Sequence, residues 1–360
     1  MACHKDSQPI PVQTNILFQG NSQASPKGLY ILNEGNMNSN KASLDYLDYT
    51  KGTYSINLYN QVNPQVTKGL GDVGNDIGVY GSKVYIVVNN SNKVEVLDLA
   101  TNKHITQVDI VNCRNITFYN GKAYVSAYLG EVGNPNDPAG IIAEIDTAIL
   151  TITRKVTVGR QPEKLAVVNG KLYVANSGGY SPPDYERTVS VIDLVSFTEI
   201  KRIDVAINLD NLLPDAYGDL YVISRGDYYT APSDLLVIDT HVDAVKKDYK
   251  IPASNLWIDG DKAYIYATDF NYNTGKTTIS YAMVDVKADT VLPGTFITDG
   301  TDKLIKVPYG IAVNPITKEI LVTDAKDYVS PGTLYCFDPT GKKKWSTMTG
   351  DIPGHFAFVY

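Results

Sequence analysis

The side chains that most often do chemistry are sparse in this chain, and their spacing is unhelpful to it. The four histidines stand at positions 4, 104, 241 and 355. None has a partner at the spacing by which a helix or a zinc knuckle offers two ligands to one metal ion. There is no Gly-x-Ser-x-Gly elbow for a nucleophilic serine. Cys113 and Cys336 fall within apolar runs and are expected to be buried thiols, so no disulfide framework follows. The string Asp269-Phe-Asn271-Tyr-Asn273-Thr-Gly275 alternates oxygen ligands as a calcium loop does. An EF-hand needs Gly at the sixth position and Glu at the twelfth, and these are Thr274 and Ser280, so a turn is the expected reading. The Gly-rich piece "GLGDVGND" at 69–76 precedes a strand pattern, not the helix N-terminus that would cradle a phosphate. What stands out instead is tyrosine, 26 residues against 8 Phe and 2 Trp. Tyrosine joins an apolar ring to a polar tip, and so suits both strand faces and wet binding surfaces.

The elements that must position these tyrosines repeat along the chain. A Gly, a small polar residue and then x-Tyr-apolar recur as "GLYILN" at 28, "GSKVYIVVN" at 81, "GKAYVSA" at 121, "GKLYVAN" at 170, "GDLYVIS" at 218 and "GDKAYIYA" at 260, with a degenerate seventh copy, "TKEILVT", at 317. A second set of β-type runs ends in Asp48, Asp98, Asp146, Asp193, Asp239, Asp285 and Asp338, at steps of 50, 48, 47, 46, 46 and 53 residues. Seven copies at this period, with strand periodicity and no sustained helical period, predict an all-β, seven-bladed β-propeller of four strands per blade. The chain enters the repeat on a second strand at Gly28 and ends on "GHFAFVY", an unpaired innermost strand. That remnant is expected to complete the first blade and close the ring, which removes the exposed edges on which other chains could pair. The domain reading is a flexible tether over 1–27 and one propeller over 28–360.

The segment "YVANSGG…TVSVIDLVSFTEIKRIDV" resembles the YVTN repeat of surface-layer and YncE-like seven-bladed propellers. The opening "GLYILNEGNMNSNKASLDYLD" resembles a group of surface lipoprotein propellers of gut Bacteroidetes that includes the BtuG-type cobalamin-binding proteins. The resemblance spans 28–360. It implies a non-enzymatic binding protein at the cell surface or in the periplasm, held to the outer membrane by a lipid. Such a protein would capture a small molecule, cobalamin first, for a TonB-dependent-type outer-membrane transporter. Glycan or protein interaction is the alternative. A lactonase- or quinoprotein-type enzyme comes third, because no cluster of carboxylates or histidine at the inner strands is visible in the sequence. No cofactor and no resident metal are expected.

Turns joining first to second strands are minimal, as in "NGK" and "DGD", whereas loops joining second to third strands are long. The segment "NSGGYSPPDYERT" (176–188) spends thirteen residues where a hairpin needs two to five. Loops held by a rigid scaffold are where binding residues concentrate. The candidates for ligand contact are therefore Tyr128, Tyr180, Tyr185, Tyr228, Tyr229, Tyr272 and Tyr328, with Arg187, Arg225 and Asp327 for charge-assisted bonds. Arg160, Trp257, Tyr309 and His355 stand near strand junctions expected on the same face. A net charge of −7 argues against nucleic acid and anionic membrane as partners. Membrane contact is expected only through a lipid on Cys3, since Ala2-Cys3 resembles the end of a bacterial lipobox and a polar, aperiodic stretch follows.

Overall fold

In the computed structural model, which describes residues 12–130 and 139–360, the chain is a seven-bladed β-propeller of antiparallel sheets. It divides into two compact units, residues 1–107 with 297–360, and residues 108–296. Cys3 and residues 131–138 lie outside the described residues.

In the first unit the blade that closes the ring is ordered Gln13–Ile16, Thr53–Ile56, Ser43–Asp48, Gly28–Asn33, Pro353–Val359 from outside to inside. The last strand of the chain pairs with the second, Gly28 opposite Val359 and Leu32 opposite His355, as the unpaired C-terminal run predicts. Ala357 and Val359 share a core with Tyr30, Leu32, Leu44, Ile86 and Val88. The tether reading ends earlier than residue 27. Gln13–Ile16 pairs with Thr53–Ile56 as a fifth strand, and the Phe18 ring lies 5.9 Å from Trp345 and 6.3 Å from Tyr49. The alternating "QTNI" offers an open sheet edge one more strand to pair with, and this outweighs its polar composition.

The second unit holds four blades. Their innermost strands are Cys113–Tyr119, Pro162–Val168, Leu209–Pro214 and Asn255–Asp259. The Asn120-Gly121 and Asn169-Gly170 pairs both carry positive φ, the left-handed conformation that a two-residue hairpin turn demands. One expected loop is mostly strand. Lys262–Asn271 and Lys276–Asp285, ten residues each, form one long hairpin with Asn271 opposite Lys276, so Tyr272 sits at its tip. The β-branched "KTTIS" run carries the ladder past the point where the other blades break it.

The repeated Asp and Tyr are struts. Asp98 accepts a hydrogen bond from Thr101 N–H, Asp146 from Ala148 and Ile149, Asp193 from Ser196, Asp239 from His241 and Asp338 from Thr340. The fourth residue after the Asp often takes the left-handed conformation, as at Gly52, Asn102, Leu150, Phe197, Asp243 and Asp289. Tyrosine hydroxyls from neighbouring second strands reach these same turns. Tyr30 donates to Asn102, Tyr173 to Asp243 at 2.6 Å and Tyr221 to Asp289 at 3.5 Å. Hydrogen bonds from Lys122, Ala148 and Ile149 hold the Asp146 carboxyl down at about 2, and Asp98, Asp193 and Asp338 are lowered in the same way. A depressed folded-state pKa contributes stability above the unfolded value, about 3.9, and that stability is lost as pH falls through the folded value. The melting temperature should therefore drop between about pH 4 and pH 2. Asp146→Asn should have a flatter acid limb than wild type, and identical limbs would remove these turns as the cause.

Candidate functional site

Three innermost strands of the second unit are bulged at the same place. Arg114 and Asn115 together oppose Ser126, Glu163 and Lys164 oppose Ala175, and Asp210 and Asn211 oppose Ile223. A bulge turns one side chain out of the pleat, and such irregularities gather at barrel rims and binding sites. Here each bulge opens on a charged residue, Arg114, Glu163 or Asp210.

The three charges meet a fourth, Arg225, just beyond the second strand Asp219–Ser224. Arg114 grips Glu163 with Nε at 3.1 Å from Oε2 and Nη2 at 3.4 Å from Oε1. The Tyr128 hydroxyl donates to Glu163 Oε1 at 2.6 Å, and the Arg114 guanidinium lies 5.1 Å from the centre of the Tyr128 ring. Arg225 spans both carboxylates, Nη1 3.6 Å from Glu163 Oε1 and Nη2 2.7 Å from Asp210 Oδ1. Burial would raise the Glu163 carboxyl, but Arg114, Arg225 and the Tyr128 hydroxyl outweigh it and hold the group below its ordinary value. Asp210 goes the other way. Burial raises it, the neighbouring Glu163 charge adds to the rise, and Arg225 only partly offsets this. Burial likewise lifts the Tyr128 hydroxyl far above its usual range, which keeps it a donor.

Tyrosines stand over this floor. Tyr180 meets Tyr128 edge-on at 6.4 Å and is itself 44% exposed. Tyr229 stacks on Tyr272 at 5.2 Å, and Tyr228 and Phe270 meet the Tyr272 ring edge-on at 6.3 Å and 4.9 Å. All four are exposed, Tyr272 to 60%. Tyr185 is half-buried, and its hydroxyl is raised by burial and then by Tyr228, Asp227 and Tyr229, which puts it beside the same group. The Tyr228 backbone is left-handed, φ 63°. A bulky residue there is an outlier that the surroundings must enforce. Asp227 enforces it by accepting hydrogen bonds from the N–H groups of Tyr229, Thr230 and Ala231.

The remaining candidates divide. Arg187 is drawn away to the outer strand, where its Nε lies 2.5 Å from Asp204 Oδ1. Arg160 stitches its own loop, bonding Glu186 and the Asp184 carbonyl. Trp257 is half-buried in the strand Asn255–Asp259. In the first unit, Asp327 caps a turn by accepting from Val329 and Ser330 and holds Tyr328 at φ 63°, the arrangement seen at Asp227-Tyr228. The Tyr328 ring meets Tyr309 edge-on at 5.9 Å. Tyr309 donates to Glu34 Oε2 at 2.9 Å, and His355 Nε2 is 2.9 Å from Glu34 Oε1, with Asp76 at 4.0 Å from its other ring nitrogen. This corrects the expectation that no carboxylates or histidine gather at the inner strands, which missed Glu34, Asp76, Arg114, Glu163 and Asp210. The available signal was a charge breaking an apolar strand seven or eight residues before the turn glycine, as in Arg114 before Gly121, Glu163 before Gly170 and Asp210 before Gly218. No group of three or more metal-ligating side chains is placed to hold an ion among the described residues.

Solved structures share the fold. A quinonprotein alcohol dehydrogenase-like protein of Bacteroides thetaiotaomicron is 14% identical with TM-score 0.62, covering 92% of this chain and 78% of that one. A functionally unknown protein of Desulfotomaculum acetoxidans is 10% identical with TM-score 0.62, covering 92% and 99%. Hydrazine synthase of Kuenenia stuttgartiensis is 16% identical with TM-score 0.57, covering 74% and 76%. At these identities the likeness is one of fold. No curated protein matches the sequence. A family profile matches residues 27–355, nearly the whole propeller, and the chain belongs to that family, the domain of unknown function DUF5074.

Proposed function

We propose that the chain is a non-enzymatic binding protein that captures a small amphiphilic ligand on the tyrosine-lined loops of the 108–296 unit. The observation that carries this reading is the cluster of Tyr228, Tyr229, Phe270 and Tyr272, whose rings pack on each other and yet stay in solvent. Packing among themselves fixes the rings before a ligand arrives, so little side-chain entropy remains to be lost on binding. The nearby charges are paired with each other, which suits holding a ligand better than moving protons. Cobalamin is the favoured ligand: a corrin is a broad plate edged with amides, matched by ring area and by Asn, Asp and Tyr polar groups. Cys3 would carry the lipid that places the protein at the outer membrane, beside a TonB-dependent-type transporter that takes over the ligand.

Calorimetry of the full chain with cyanocobalamin tests the reading. Binding should weaken more than tenfold in Tyr229→Ala/Tyr272→Ala, about 1.4 kcal/mol. Absence of heat and of any absorbance shift at micromolar protein, with heat from an oligosaccharide instead, would replace cobalamin by a glycan on the same rings. Palmitate incorporation that survives Cys3→Ala would take the anchor out of the reading.

A further inference from the structure

Arg225 and Asp210 form an ion pair with binding capacity left over. Arg225 Nη2 is 2.7 Å from Asp210 Oδ1, and its other carboxylate neighbour among the described residues, Glu163, is at 3.6 Å. A guanidinium has five N–H donors in one plane, and a carboxylate has about four acceptor sites. Among the described residues the Asp210 carboxylate makes an ion pair with Arg225 and no side-chain hydrogen bond. Both side chains reach solvent, Arg225 to 30% and Asp210 to 21%. Two partly exposed tyrosines border the cluster: Tyr180 meets the Tyr128 ring edge-on at 6.4 Å, and Tyr228 follows Arg225 three residues on in the same loop. The site therefore presents unused donors and an unused acceptor side by side, next to aromatic rings.

We propose that Arg225 and Asp210 together read a primary carboxamide on the ligand, the amide oxygen accepting from Arg225 and the amide N–H donating to Asp210. This deepens the binding reading given above and rests on it. The pair discriminates by charge. A carboxylate in the same place would satisfy Arg225 but set its second oxygen against Asp210. An amidine or guanidine would satisfy Asp210 but meet Arg225. Only a neutral group with an acceptor and a donor on one edge answers both, and a site built to hydrogen-bond such a group rejects the analogue that leaves a buried polar atom unpaired.

Two ligand pairs test the proposal on the full chain, each an amide beside its acid. One is cyanocobalamin with the monocarboxylate formed by hydrolysing one side-chain amide. The other is nicotinamide with nicotinate, followed by ligand-detected NMR. At neutral pH the amide should bind at least tenfold tighter than the acid in every pair that binds at all. Asp210→Asn, confirmed folded by its melting curve, should bring amide and acid to within about threefold, because an Asn side chain offers a donor as well as an acceptor. An acid that binds wild type as tightly as its amide overturns the proposal. So does a preference that Asp210→Asn leaves unchanged, or a lack of binding by all four compounds. Nicotinamide preferred over nicotinate without any cyanocobalamin binding would remove cobalamin and leave the carboxamide site. Cyanocobalamin bound no tighter than its acid would do the reverse.

Discussion

Deletion of Gly354–Tyr360 should abolish the cooperative fold of the 1–107/297–360 unit. These residues supply the innermost strand of the closing blade, and their loss would strip Gly28–Asn33 of one of its two hydrogen-bonded neighbours. Leu29, Tyr30, Ile31 and Leu32 are now at most 1% exposed and would become the inner edge. Ala357 and Val359 also leave the core they share with Tyr30, Leu32 and Leu44. Lys27 N–H would lose the Val359 carbonyl that it meets at 2.7 Å. Burying one large apolar side chain contributes roughly 1.5–3 kcal/mol. Val359 is buried and Phe356 and Phe358 are half-buried, so these side chains with the lost ladder amount to a large share of the stability of an ordinary domain, about 5–15 kcal/mol. Urea unfolding followed by far-ultraviolet circular dichroism should show the truncated chain partly unfolded or aggregated before denaturant is added. A peptide of residues 353–360 supplied in trans should recover part of the signal. A truncated chain with the midpoint and slope of the full one would overturn closure by this strand.

The closure was legible because a lone strand pattern at the end of a seven-fold repeat has one place to go. The turn Asp and strand Tyr were legible for a related reason: each does the same job in most blades, so selection for turn geometry and packing prints them at a constant period. The floor of the site was not legible. Arg114, Glu163 and Asp210 occupy equivalent bulge positions but differ in chemistry, so they make no repeat. Their meeting depends on how neighbouring blades align, which no local pattern encodes. The loop tyrosines could be picked out by composition, but not which of them would pack together. Arg187 was drawn off by Asp204, the partner of Thr188 across the sheet. Tyr128 turned downward to become part of the floor, 2% exposed. The Gln13–Ile16 strand was misread as tether because its polar residues describe a solvated edge as well as they describe a linker.

Glu163 is the residue whose loss should cost the second unit most. Its carboxylate is 1% exposed and receives Arg114, Arg225 and the Tyr128 hydroxyl. Glu163→Ala would take from Arg114, itself largely buried, the carboxylate it grips through two nitrogens, and from the Tyr128 hydroxyl its acceptor. Removing one partner of a buried ion pair typically costs about 3–5 kcal/mol. Glu163→Gln keeps the shape and an acceptor for Tyr128, so it should cost less than the alanine variant while still removing the charge that faces both guanidinium groups. Urea midpoints of the two variants measure this, and a Glu163→Ala protein within about 1 kcal/mol of wild type would show that the charges are not coupled as the geometry requires. A buried ion cluster is seldom the most stable filling of its space, since apolar residues of similar volume often do as well or better. Arg114→Met/Glu163→Leu/Asp210→Leu/Arg225→Met, which removes all four charges together, should therefore recover most of the stability that Glu163→Ala loses. If that apolar quadruple variant is stable and no longer binds ligand, the cluster is kept for recognition. If it is stable and binds as wild type does, recognition belongs to the tyrosines alone.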